Sequence, residues 1–161
     1  MSRRTSIVTA LAAKLNTING QGPYYTNLFN NAYPKLKFWD EVNDFPSVYM
    51  SPGMEQREYH PGNFAWGVLG VSIKVYCKGE DSQQQLENLL ADIETCIDAN
   101  RQLQYDPDIR QYGGMEPGRE LFETTEILIQ SITTDEGLLA PYAIGEINLQ
   151  VRYQIYQILP I

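Results

Sequence analysis

The residue types that could do chemistry in this chain are few and poorly placed for it. Its one histidine, His60, sits in the turn-like run Tyr59-His60-Pro61-Gly62. An imidazole works as a general base only within hydrogen-bond reach of the proton it takes; here it reads as a turn or interface histidine. Asp135 and Glu136 are adjacent and followed by Gly137. Neighbouring acids can divide acid and base duties or hold a metal, but between two strands they read as turn or salt-bridge residues. Cys77 and Cys96 belong to no CxxC and have no histidine close in sequence, so a zinc site is not indicated. They read as buried free thiols, as suits a reducing compartment. No GxSxG, P-loop, GxGxxG or HExxH occurs. The expectation is no catalytic residue, no metal and no cofactor.

One segment instead has the chemistry of contact. Thr133-Thr134-Asp135-Glu136-Gly137 begins as a turn, yet Leu138-Leu139-Ala140-Pro141-Tyr142 follows before the final strand. An apolar loop must be covered, by its own fold or by a partner. Both readings stand on the residues alone. The site hypothesis is a subunit interface over Asp135, Glu136, Gly137, Leu138, Leu139, Ala140, Pro141 and Tyr142. Arg3, Arg4, Arg57, His60 and Trp66 are further candidates for an interface or a channel lining.

The elements that must position these residues follow from periodicity. Ile7, Leu11, Leu15 and Ile18 recur at helical spacing, with Ser2 or Thr5 as the cap and Asn19-Gly20 as the stop. Arg3 and Arg4 then lie at the positive end of the helix dipole, so they either face solvent or meet an acidic partner. Gln21 to Asp44 is irregular and aromatic-rich, with a helical turn expected near Thr26 to Asn31 and a strand at Leu36 to Trp39. Phe45 to Met50 reads as a strand with Pro46 at its start. Ser51-Pro52-Gly53 and Pro61-Gly62-Asn63 read as turns, and Met54 to Tyr59 with Phe64 to Trp66 as a protruding hairpin.

Leu69, Val71, Ile73, Val75 and Cys77 share one face of a firm strand. Asp81 with Gln84 has capping-box spacing for a helix buried on Leu86, Leu89, Leu90, Ile93 and Ile97, with Asp92, Glu94 and Asp98 outside that stripe. Arg101 to Glu120 is a long punctuated loop with a short strand at Leu103 to Tyr105. Two strands close the chain, one alternating on Thr125, Ile127 and Ile129, the other on Ile147, Leu149, Val151, Tyr153 and Ile155. The expected fold is an α+β two-layer sandwich over a single domain, 1–161, with a mainly antiparallel mixed sheet and two helices on one face.

Composition bounds the partners. Twenty acidic against twelve basic residues give a net charge of −8. The bases are scattered, so tight binding to a nucleic-acid backbone is not expected. No apolar run approaches the roughly 18 residues that cross a bilayer, and the basic start is not followed by a signal-peptide core. A soluble protein without a membrane partner is expected.

A resemblance sharpens this. The ordered set Thr5-Ser6-Ile7, Tyr24-Tyr25-Thr26-Asn27-Leu28-Phe29, Phe45-Pro46-Ser47-Val48, Gln85-Leu86-Glu87 and Ala91-Asp92-Ile93 is followed by Thr134 to Tyr142, Gly145-Glu146-Ile147-Asn148 and Val151-Arg152-Tyr153. Together these resemble the tail tube terminators of T-five-like long-tailed phages and, more distantly, the minor tail protein U family of lambda-like phages. The resemblance implies a structural virion protein of the head-proximal end of the tail, assembled in the host cytoplasm. It implies a homohexameric ring that caps the tail tube, stops its polymerisation and meets a neck or head-completion protein. DNA would pass through without being tightly bound. A neck connector or head-completion protein, a tube protein of related fold and a small enzyme are the alternatives.

Overall fold

The computed structural model describes residues 2–62, 64–106 and 123–156. The stretch from Pro107 to Arg119, within the expected long loop, lies outside them. Helix α1, Arg3–Leu15, forms on the stripe of Ile7, Leu11 and Leu15. Of the two candidate caps, Ser2 takes the role: its hydroxyl accepts the Thr5 N–H at 3.2 Å. The helix stops before Asn19-Gly20, because Asn16 is committed elsewhere. Its side-chain amide accepts from the N–H of Ala32 at 2.9 Å and donates to the Ala32 carbonyl at 3.2 Å. That pair of bonds positions strand β1, Ala32–Tyr33.

The segment between them corrects two expectations. Thr26 to Asn31 forms no helical turn and Leu36 to Trp39 is no strand; a single 3-10 turn spans Trp39–Glu41. The segment is tied instead to Asp92, expected outside the buried stripe of the second helix and found fully buried. Its carboxylate accepts the N–H groups of Tyr25 (2.9 Å) and Thr26 (2.7 Å) and the Thr26 hydroxyl (2.5 Å). Phe29 and Asn30 follow with φ of 53° and 60°, a left-handed pair that a right-handed helix cannot contain.

Strands β2, Ser47–His60, and β3, Phe64–Lys78, form one long hairpin. Pro61-Gly62 is its turn, as expected. Ser51-Pro52-Gly53 is not a turn: pairing runs through Pro52↔Val71 and resumes at Glu55↔Leu69, so one extra residue makes a bulge. Helix α2, Ser82–Ala99, follows without the expected capping box. The Asp81 side chain makes no cap bond, and Gln84 bonds to Asn88 instead. Strands β4, Thr124–Thr134, and β5, Tyr142–Tyr156, complete a five-stranded sheet in the order β1-β2-β3-β5-β4. Only β1 is parallel to its neighbour. The expected strand at Leu103 to Tyr105 is a single bridge, Gln104↔Glu123.

Both helices cover the sheet face carrying Leu69, Val71, Ile73, Val75, Ile147, Leu149 and Val151, so the chain is an α+β sandwich. In β4 the expected Thr125 is exposed and Thr124 is buried in its place, because a bulge between Thr124 and Glu126 shifts the phase. The buried Thr124 hydroxyl accepts the Leu103 N–H at 2.8 Å and donates to the Arg101 carbonyl at 2.9 Å. At the hairpin end, a Cβ on Gly67 would lie 2.8 Å from the Tyr153 ring, so only glycine admits that tyrosine there. Tyr153 donates its hydroxyl to Glu55 across the sheet. Both cysteines are buried and free. Burial raises the Cys77 thiol to about 12 and pushes Cys96 up as well.

On the opposite face Tyr49, Tyr76 and Val42 form a small second cluster under the chain around Tyr33 and Phe45. Beyond that cluster the face carries several polar pairs beside Trp66, Val68 and Leu128. Gln130 bonds Gln150 at 2.6 Å, Asn148 bonds Ser131 at 3.0 Å, and Lys74 pairs with Glu146 at 2.8 Å.

Asp92→Ala removes one acceptor and leaves three donors unsatisfied. We expect a loss of about 2–4 kcal/mol, read by chemical denaturation, with hydrogen exchange speeding up first in residues 21–30.

Candidate functional site

The loop joining β4 to β5 is built around Asp135. Its carboxylate accepts the N–H groups of Leu139 and Ile144, each at 3.1 Å. Burial pushes that carboxyl up, but these two bonds, with Gln83 and the Gly137 N–H, outweigh it and hold it below the usual carboxylate range. Glu136 and Gly137 then take φ of 55° and 82°. Glycine adopts that conformation without strain, which turns the chain outward. Leu138 is left 85% exposed, the most exposed large apolar side chain described.

The loop returns through Leu139, Ala140 and Pro141, whose carbonyl accepts the Gly79 N–H at 3.0 Å. Tyr142 anchors it. Its ring lies 5.5 Å from Trp39 and 5.9 Å from Phe45, with the Lys78 ammonium 5.1 Å from its centroid. Leu36, Phe38 and Trp39 are themselves exposed near this end. Within the loop, Leu138 stands in solvent while Leu139 and Tyr142 are half-buried against their own subunit.

The other candidates lie elsewhere. Arg57, exposed, is 3.3 Å from Glu55, and the exposed His60 is 3.3 Å from Glu58, both on the hairpin tip. Trp66 carries the Arg152 guanidinium 4.5 Å above its ring. The fifteen residues of β3 run between this tip and the Leu138 loop, about 45 Å of extended strand. Arg4 donates to the Gly53 carbonyl in the β2 bulge. Arg3 is buried in its own subunit, with its charge felt at the Tyr153 phenol. The helix start is thus pinned to the bulge, and Arg3 is withdrawn from the surface.

Two concavities give little chemistry. A cleft of about 480 Å³ is lined by Asp98, Asn100, Arg101, Gln102 and Glu126, and a groove of about 250 Å³ by Thr26, Phe29, Pro46, Cys77 and Leu89. Neither joins a nucleophile to a base. No helix among the described residues is long and apolar enough to cross a membrane.

A family model for the bacteriophage tail tube terminator protein matches residues 1–159. This chain belongs to that family. It is 39% identical over 160 residues to the tail tube terminator protein of Escherichia phage T5, covering 96% of this chain and 95% of that one. Its fold is similar to a chain in the virion of the native gene transfer agent particle, with a TM-score of 0.54 and 14% identity. That likeness covers 93% of this chain and 98% of the other, and it supports the fold alone. A pentatricopeptide repeat protein of Arabidopsis thaliana is 27% identical over 63% of this chain but only 11% of its own length; helical repeats have no counterpart in this sheet. As a terminator family member, the protein is a structural component of the phage tail, associated with the tail tube and other virion parts.

Sequence reasoning missed Asp92 and the role of Asp135 as a bracket. A signal for Asp92 was present: an acid beside the apolar stripe of α2, one position from the buried Ile93.

Because the folded Asp135 carboxyl sits below its ordinary value, its contribution is complete above about pH 4 and disappears as pH falls through the folded value. Asp135→Ala should lose about 1–2 kcal/mol at pH 7. Thermal melts at pH 7 and below pH 3 test this: the gap between wild type and variant should close in acid.

Proposed function

We propose that six copies of this protein close into a ring on the finished tail tube. The ring stops further tube polymerisation and offers the tail-side surface for a neck or head-completion protein at the head-proximal end, after assembly in the host cytoplasm. DNA passes through the ring. Residues 1–161 act as one domain, and the role is assembly rather than catalysis.

The observation that carries this reading is the exposed Leu138 loop in a chain that matches the terminator family over nearly its full length. An exposed leucine held out by a bracketed turn is costly unless a partner covers it: burying it is worth roughly 2–3 kcal/mol gross, before ordering costs. Contacts between unlike surfaces build either open filaments or closed rings, and a cap requires the closed form. A neck connector or a tube protein of related fold would use similar contacts; the family match favours the terminator.

Added to growing tubes, the protein should arrest elongation, and native mass spectrometry at rising concentration should show six copies. Continued elongation in its presence would overturn the terminator reading. Leu138→Ser should leave a folded monomer, by circular dichroism, with impaired ring closure; the double change with Leu139→Ser should abolish it. Unfolding of the single variant would place Leu138 in its own core.

The net charge of −8 disfavours counterion release. Duplex DNA should therefore show no sub-micromolar, salt-sensitive gel shift with the purified protein.

A further inference from the structure

The sheet has two edges that are not equivalent. At one, the Thr124 N–H is taken by the Leu103 carbonyl at 2.8 Å, but from Thr125 to Thr134 no strand among the described residues pairs with the outer side of β4. Its sequence, TTEILIQSITT, has a single charge, Glu126, and neither proline nor glycine. Edge strands that must stay single are commonly blunted by charge or proline; the two bulges in β4 add twist but no charge. Residues paired across a sheet share a face. Leu128, opposite Gln150, is therefore on the polar face, while Ile129 and Ile132, opposite Leu149 and Ile147, are on the helix side. Leu128 and Ile132 are 39% and 38% exposed. Apolar side chains on both faces of an open edge suit a strand with a neighbour on each side.

The other edge is β2. Strand β1 covers it only at Val48 and Tyr49, and Arg4 takes the Gly53 carbonyl. Met54 to His60 are almost entirely exposed beyond that point. The four long strands alternate in direction, so β2 and β4 run opposite to one another. A second copy laid beside the first with its β2 against β4 therefore pairs antiparallel and continues the same alternation. Pairing β4 with β4 would be isologous and stop at a dimer; β4 with β2 is head-to-tail and propagates.

We infer that the open edge of β4 binds the Met54–His60 edge of β2 from a second copy of this chain, making the sheet continuous between subunits. This rests on the ring reading above and adds a main-chain contact distinct from the Leu138 loop.

Hydrogen exchange of residues 124–134 and 54–60, compared between monomer and assembled protein, is the test. Alternate amides of both segments should be fast in the monomer and slow in the ring. Leu128→Lys with Ile132→Lys, at two partly exposed positions, should stay folded by circular dichroism and fail to assemble. Wild-type protein that never forms rings, alone or on tails, overturns the ring reading. If rings form while either segment exchanges as in the monomer, or the double lysine variant still closes them, edge pairing is overturned and the ring stands. Protection, already in the monomer, of the outward-facing amides between 125 and 134, or a strict dimer, also overturns it.

Discussion

The unbroken ladder between β3 and β5 is what the rest of this molecule depends on. Fifteen consecutive pairs run from Phe64↔Tyr156 to Lys78↔Tyr142 with no bulge. Because side chains alternate with a period of two, that register places Leu69, Val71, Ile73, Val75, Ile147, Leu149 and Val151 under the helices at once. A slip of one residue would send Ile73, Val75, Ile147 and Leu149 to the polar side together. The neighbours tolerate irregularity because this pair does not: β2 and β4 both carry bulges, and each meets the ladder on only one side.

The ladder also separates the two ends of the molecule. At one end the β4–β5 loop stands on Asp135 and Tyr142; at the other the hairpin tip carries Arg57, His60 and Trp66. Neither end assembles a reactive constellation. The polar face between them is self-satisfied by side-chain pairs such as Gln130 with Gln150 and Lys74 with Glu146. The exposed apolar side chains and strand edges are materials suited to assembly.

Much of this was legible in the sequence where a single period governs. The strands on Leu69 to Cys77 and Ile147 to Ile155 and the stripe of α2 follow from alternation or helical spacing. What was not legible depended on long-range polar contacts. Asp92 reads as a surface acid until Tyr25 and Thr26, some 66 positions away, bring their N–H groups to it. Pro52-Gly53 has the composition of a turn, yet the partner strand carries the chain straight through as a bulge. Thr124 replaced Thr125 in the interior for the same reason. The Leu138 loop was visible as apolar, but its exposure is a property of the Asp135 bracket and the left-handed Glu136-Gly137 pair, which composition alone does not reveal.

Burial of the two thiols has a chemical consequence. Oxidation and disulfide exchange proceed through the thiolate. At neutral pH a Cys77 near 12 is ionised in only about one molecule in 100,000, and Cys96 is likewise buried. Neither cysteine is therefore poised to form a cross-link while the chain stays folded.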